Sequence, residues 1–409
     1  MQVVHLGISG FPHNVTLAPI QKSYLIYKGL VEAGAEVLYI NTIPQATSKN
    51  NHHDSTLDDS AEGVLDGINY VYTCGTPYRS ESFLKRNWTK LRGILGEIAL
   101  LQSLLRQKKV DIAVLYTAHF STLLYYRIWS KLFGFPLVMN YVEYRSAFET
   151  NSAQKKISWL LTDRYAAYLV DAMLPISEFL IQRTKKLNPQ LPYLKVPALC
   201  DFTRYTQIER DNDVPRYLLY CGSAAYYEVA NFIIASFEQV KASNVHLYLI
   251  INGWPAQKQK VTDRITQSPK KELIKTFSQV SNEDYSRLLF EAEGLLIPLR
   301  PTVQDTARFP NKVGEYVASG NPMVATQVAE IAYYFMDNVS AFLATNYQVE
   351  SFALKIQQLI DEPAHARAVG LEGKEVGHLR FDYRKNGEKM LDFFESIFET
   401  RRYRKPSAH

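Results

Sequence analysis

Short apolar runs alternate with longer amphipathic segments along almost the whole sequence, and this alternation constrains the fold more than any other feature. A strand buried on both faces reads as an unbroken apolar run, and joining two parallel strands takes a crossover of a dozen residues or more, usually a helix. In the first half, Val3–Ile8, Glu36–Ile40, Ile68–Tyr72, Asp111–Tyr116, Leu137–Tyr141 and Ala172–Ile176 read as such strands. In the second half, Tyr217–Cys221, Val245–Ile251, Leu273–Phe277, Gly294–Pro298, Met323–Thr326 and Ala341–Ala344 form another set. Helices are expected over Ile20–Glu32, stopped by Gly34, over Trp159–Leu169, and from Phe381 onward. The pattern predicts an α/β fold of two doubly wound, parallel-sheet domains. A chain of 409 residues suits that division, at roughly 200 residues per core. The proline-rich stretch Pro192–Phe202 marks the hinge, and the polar stretch Pro44–Gly63 reads as a surface loop.

Composition narrows the class. With 46% hydrophobic and 21% charged residues the chain is globular and not disordered. Cys74, Cys200 and Cys221 show neither metal spacing nor an even disulfide framework, which favours a reducing cytosol. Val3–Ile8 opens directly into a glycine loop without the cationic start of a signal peptide. The most apolar region, Ile112–Val142, is interrupted by His119, Arg127, Lys131 and Pro136, so no membrane span is expected. Phe83–Lys109 mixes Lys85, Arg86, Lys90 and Arg92 with Trp88, Leu91, Ile94 and Leu95, the composition of a helix that lies on an anionic membrane or covers a sheet. The net charge of +5 and the basic tail Arg401, Arg402, Arg404, Lys405 tilt toward such a surface. No nucleic-acid-binding module accompanies those charges.

The segment Phe309–Pro322, FPNKVGEYVASGNP, carries the chemistry. Pro310 fits a first helical position, Lys312 falls in the first turn, and Glu315 follows on the same face, leaving Val313, Tyr316 and Val317 to pack. An amine beside a helix N-terminus is a receptor for phosphate. Gly320 ends the helix before the strand at Met323.

This segment resembles the donor-site signature of glycosyltransferase family 4, retaining GT-B enzymes whose pattern runs Pro-x-Lys-x-x-Glu-Tyr-x-Ala-x-Gly-x-Pro. Glu330 matches a further acidic position in the next helix. The GFPHN loop with EAGAEVLYI, the VDAMLPISEFL turn and the VPALCDF hinge extend the resemblance over nearly the whole chain. It implies a GT-B fold, two Rossmann-like domains facing across a cleft: residues 1–198 binding the acceptor, with the C-terminal helix 385–409 packed back on them, and residues 199–384 binding a nucleoside diphosphate-sugar. Glu315 would bind the ribose hydroxyls, Lys312 would lie near the diphosphate, and Glu330 would sit beside the same pocket.

Two departures stand out. The family's second Glu, eight residues before Glu315, is Ala307 here, with Asp305 and Arg308 as neighbouring substitutes. The loop after Gly222-Ser223 offers backbone amides but no Arg or Lys, so diphosphate charge falls to Lys312, Arg308 and Arg300. On the acceptor side, Glu143 and His119 follow apolar strands at the edge where ligands sit in open sheets, and Gly10 and His13 lie in the first glycine loop. Glu143, His119 and Asp305 are therefore the candidate catalytic groups. The implied reaction transfers a sugar with retention, without a protein nucleophile, cofactor or metal. Asp211-Asn212-Asp213 has metal-binding spacing but lies in a polar connector. The implied setting is bacterial surface-polysaccharide or glycolipid synthesis on the cytoplasmic side of a membrane, with a saccharide or lipid-linked saccharide acceptor. A non-catalytic sugar-nucleotide-binding protein of the same fold, or a sugar-nucleotide epimerase on the same scaffold, remains as an alternative.

Overall fold

The computed structural model describes residues 1–14, 18–46, 60–205 and 214–404. Residues 47–59 of the expected loop, the Asp211-Asn212-Asp213 triplet and the tail side chains Arg402, Arg404 and Lys405 lie outside the described residues. The chain divides into two compact units, Met1–Leu199 with Tyr383–His409, and Cys200–Asp382.

The first unit is built on β1 (Gln2–Gly7), α1 (Ala18–Glu32), β2 (Glu36–Asn41), β3 (Glu62–Leu65), β4 (Ile68–Tyr72), α2 (Phe83–Arg106), β5 (Ile112–Tyr116), α3 (Phe120–Phe133), β6 (Leu137–Tyr141), α4 (Ala153–Leu169), β7 (Ala172–Pro175) and α5 (Glu178–Leu187). Its sheet has the order β3-β4-β2-β1-β5-β6-β7 and is parallel except for β3. That edge strand corrects the loop expectation at Glu62–Gly63. It alternates exposed with half-buried residues over only four positions, too short a pattern to separate from a polar loop. The central strands β5 and β6 are buried along their whole length, as the unbroken apolar runs require.

The second unit comprises β8 (Tyr217–Ser223), α6 (Tyr227–Gln239), β9 (His246–Asn252), α7 (Pro255–Thr266), β10 (Ile274–Phe277), α8 (Asn282–Glu291), β11 (Gly294–Ile297), α9 (Val303–Ala307), α10 (Asn311–Ser319), β12 (Met323–Thr326), α11 (Ala329–Tyr334), β13 (Phe342–Ala344), α12 (Val349–Asp361) and α13 (Pro363–Phe381). All six strands are parallel, ordered β10-β9-β8-β11-β12-β13. Strand order therefore reverses between β8 and β11, and the loops leaving their carboxyl ends are neighbours, the position where open α/β sheets bind ligands. In the first unit the corresponding reversal lies between β1 and β5.

The final helix α14 (Tyr383–Arg404) belongs to the first unit. It packs on α1 at a glycine crossing. A Cβ on Gly387 would sit 2.2 Å from the Gly29 carbonyl oxygen, and one on Gly29 would sit 2.3 Å from that of Tyr383, so neither position tolerates a side chain at this approach. The Tyr383 hydroxyl donates to Glu32 at 2.5 Å, and Arg401 pairs with Asp171 at 2.5 Å.

Candidate active site

In the second unit, α10 carries the Lys-x-x-Glu pair. Pro310 stands one position earlier than its sequence suggests: it is the N-cap, with extended φ −66° and ψ 132°, and the helix proper begins at Asn311. A proline cannot donate to the preceding turn in either position, so the helix start is unharmed. Val313, Tyr316 and Val317 are buried, while Lys312 and Glu315 stay half-buried on the opposite side. Gly320 closes the helix in the left-handed region, φ 79°, which explains a glycine there.

Tyr316 locks this helix to the sheet, accepting a hydrogen bond at 3.1 Å from the Cys221 amide near the end of β8. The Cys221 thiol registers both polar residues of the motif. Burial pushes it up to about 11, Lys312 opposing the rise and Glu315 adding to it. Lys312 and Glu315 thus lie within electrostatic reach of Cys221, near the carboxyl end of β8. Glu315 Oε2 accepts from the Tyr285 hydroxyl at 2.5 Å, and burial followed by the Glu315 charge raises the Tyr285 phenol well above its ordinary value.

A second cluster stands at the adjoining loops. Thr302 caps α9 by accepting from the Asp305 amide, and Asp305 itself is 1% exposed. Its Oδ2 accepts from the Arg300 amide at 3.0 Å and from Arg300 Nε at 2.8 Å; its Oδ1 accepts from Arg300 Nη2 at 3.0 Å and pairs with Arg308 Nη2 at 2.7 Å. Burial alone would raise the Asp305 carboxyl, but hydrogen bonds from Arg300 and the charge of Arg308 outweigh it and hold the group below the usual carboxylate range. Arg300 also pairs with Glu228. Both guanidinium carbons lie over the Tyr226 ring, at 5.4 and 5.0 Å from its centre, and Arg308 Nη1 donates to the Tyr226 hydroxyl at 3.1 Å. The β8–α6 loop has no cation of its own, yet two guanidiniums from the next strand's loop rest on its tyrosine. Ser223 accepts from the Ala225 amide at 3.2 Å and shapes the turn after Gly222. Glu330 is buried in the first turn of α11, next to α9.

In the first unit, Glu143 pairs with Arg145 at 2.7 Å and is a quarter exposed. Lys22 is buried on α1, its amine donating to the Val196 carbonyl oxygen at 3.5 Å. Burial drives the Lys22 amine down to about 7, Glu143 opposing the fall. His119 is exposed at the α3 N-cap, its amide donating to Thr117 Oγ1 at 3.0 Å. His13 is buried among the rings of Tyr70, Tyr72 and Tyr78 and meets the Tyr72 hydroxyl at 3.2 Å. The Gly10 amide donates to Asn41 Oδ1 at 2.7 Å, holding the loop after β1 against β2. Glu143 and His119 thus sit in different surroundings, one within a charged cluster and one at the surface.

Residues to which the sequence alone assigns no role in the site include Lys22, Arg145, Tyr226 and Tyr285. Only Lys22 leaves a signal: it precedes Ile26 and Leu30 by four and eight positions on the buried stripe of α1, where a lysine is out of place.

Residues 215–362 match the family model for glycosyl transferases group 1. No curated protein sequence matches the chain. Among solved structures it is similar to sucrose-phosphate synthase from Thermosynechococcus elongatus, at 14% identity, with 97% of this chain and 99% of that chain covered and a TM-score of 0.75. A glycosyltransferase from Rickettsia africae aligns at 12% identity and TM-score 0.69, over 97% and 98% of the two chains. Anabaena HepE in complex with UDP aligns at 13% identity and TM-score 0.64, over 97% and 100%. With the parallel-sheet units described above, these likenesses establish a GT-B fold, whose second unit carries the match to the group 1 glycosyl transferase model.

Proposed function

We propose that the chain is a family 4 glycosyltransferase that moves a sugar from a nucleoside diphosphate-sugar to a saccharide or lipid-linked saccharide acceptor, retaining the anomeric configuration. The observation that carries this reading is the bond from the Cys221 amide of β8 to Tyr316, which holds the Lys312–Glu315 helix at the end of that strand, whose neighbour β11 leads into the Arg300–Asp305–Arg308 cluster. Transfer demands stabilisation of an oxocarbenium-like transition state and of a departing diphosphate. Lys312, Arg308 and Arg300 provide positive charge for the diphosphate, helped by the N-terminus of α10. Glu315, oriented by Tyr285, accepts from ribose hydroxyls. Asp305 is engaged by two arginines, so its proposed role is to hold them. The acceptor attacks on the leaving-group face and passes its proton to the departing oxygen, with Glu143 of the first unit orienting the acceptor hydroxyl. Neither metal nor cofactor takes part in this scheme. The setting we propose is the cytoplasmic face of a bacterial membrane, in surface-polysaccharide or glycolipid synthesis. Among the described residues no helix is long and apolar enough to cross a membrane.

The complex of HepE with UDP makes a uridine nucleotide the first to test. Calorimetric titration of a nucleoside diphosphate panel into wild type and Glu315→Ala, with sugar-nucleotide hydrolysis followed in parallel, checks the reading. One nucleotide should bind, and Glu315→Ala should weaken it at least tenfold, by about 1.5–3 kcal/mol for hydrogen bonds to a charged group. Absence of binding to every nucleotide refutes the donor site. Binding without turnover, even when acceptors are supplied, supports the non-catalytic alternative; turnover to an epimerised product without an acceptor supports the epimerase.

A further inference from the structure

The helices α2, α3 and α4 of the first unit cover one face of its sheet, joined to one another by named contacts. Glu97 of α2 accepts from the Tyr126 hydroxyl of α3, and the Phe120 amide of α3 donates to Ser158 Oγ of α4 at 3.0 Å. Their outward side is unusually apolar. More than half of the exposed large hydrophobic side chains among the described residues lie on these three helices. On α2, Phe83 is 66% exposed, Leu84 78% and Trp88 68%, while Ile128 and Leu132 of α3 and Leu160 of α4 are more than half exposed.

The charges on the same surface have a single sign. The three helices contain only two acidic residues, Glu97 and Asp163, and both are buried: Glu97 accepts from Thr42 Oγ1 at 2.7 Å, and Asp163 from the Ser146 amide at 2.7 Å. Lys85, Lys90, Arg92, Lys131, Lys156 and Arg164 are exposed. Every exposed side chain on the three helices that is charged at neutral pH is therefore basic. A face destined for water alone would mix both signs, and one covered by a second copy of itself would set like charges against each other. An anionic bilayer complements both properties, attracting the lysines and arginines and taking up the aromatic and aliphatic side chains at its interface.

We infer that the joint outer face of α2, α3 and α4 docks on an anionic phospholipid bilayer. Such a surface deepens the membrane setting proposed for the acceptor and rests on that reading. It broadens the contact from the single amphipathic helix legible in the sequence to a three-helix face.

Flotation of the full chain tests it, with vesicles of phosphatidylcholine alone or mixed in equal parts with phosphatidylglycerol, at low and high salt. Wild type should float with the mixed vesicles and stay down with phosphatidylcholine. In Lys85→Ala/Lys90→Ala/Arg92→Ala each lost charge should cut partitioning roughly fivefold. Leu84→Ser/Trp88→Ser should lose binding at either salt concentration. Nucleotide titration and thermal melting of the same samples should match wild type, which separates this face from the donor site: vesicle binding without nucleotide binding would sink the transferase reading alone. Wild type remaining unbound to mixed vesicles overturns the inference. So do variants that float like wild type, and so does a wild-type dimer by light scattering that Leu84→Ser/Trp88→Ser dissolves without any vesicle binding.

Discussion

Replacing Asp305 with Asn is the sharpest test of how the second unit holds its cations. The carboxylate is 1% exposed and joins Arg300 through three hydrogen bonds and Arg308 through a 2.7 Å ion pair. The two arginine side chains are themselves only 14% and 22% exposed. Asparagine keeps the shape and one acceptor oxygen, but its amide nitrogen must face a guanidinium, and of the two cations only Arg300 keeps a carboxylate, that of Glu228. Removing one partner of a buried ion pair costs about 3–5 kcal/mol; with both guanidiniums partly solvated, the lower end applies, about 3 kcal/mol. For a domain of this size that lowers the melting temperature by roughly 6–12 °C. The sign of the pH dependence follows from the lowered carboxyl. Its stabilisation is fully present above the unfolded pKa, about 3.9, and is lost as pH falls through the folded value below that. The gap between wild type and Asp305→Asn should therefore stay constant from neutral pH down to about pH 5 and close only below about pH 4. Differential scanning calorimetry across that range, with nucleoside diphosphate titration at neutral pH, measures both effects. Affinity should fall about tenfold as the arginines lose their fixed orientation. A variant that melts with wild type and binds nucleotide equally well would show that the arginines need no buried carboxylate, and the positioning role would be wrong.

Three further outcomes are expected. Tyr226→Ala should remove the ring beneath Arg300 and Arg308 and weaken diphosphate binding by about 0.5–2 kcal/mol, whereas Tyr226→Phe should lose only the Arg308 hydrogen bond and stay closer to wild type in the same titration. Lys22→Met should flatten the pH–stability curve: the buried amine, lowered to about 7, disfavours the charged folded form, so wild-type stability rises between about pH 7 and pH 10 and the variant's does not, as urea denaturation at both limits will show. Gly93→Ala should destabilise the first unit by at least 1–3 kcal/mol, because the added Cβ would lie 1.9 Å from the Thr42 carbonyl oxygen, and thermal melting measures the loss.

What could be read from the sequence, and what could not, divides along the range of the interactions. Strands such as Leu137–Tyr141 and Met323–Thr326 declare themselves locally, because burial on both faces demands an unbroken apolar run. The helix from Asn311 to Ser319 does so too, through its Pro310 start, its Gly320 stop and the spacing of Lys312 and Glu315. The edge strand at Glu62–Leu65 escapes because four residues with one half-buried face carry too little pattern. Partners of site residues escape for a different reason. Tyr285 meets Glu315 from 30 positions away and Tyr226 meets Arg308 from 82, and no spacing rule reaches so far. The absent loop cation shows what this means for function. Read along the chain, Ala224, Ala225 and Tyr226 look like the loss of a phosphate-binding charge. Because β8 and β11 are neighbours in the sheet, the loops that follow them adjoin, and Arg300 and Arg308, paired with Asp305 and Glu228, lie on Tyr226 of the loop that lacks a cation. The proposed diphosphate site would draw on the charge gathered at the strand-order reversal, whichever segment delivers it. Two carboxylates already balance those guanidiniums, so a cation added to the loop, as in Ala225→Arg, should raise diphosphate affinity in the same titration.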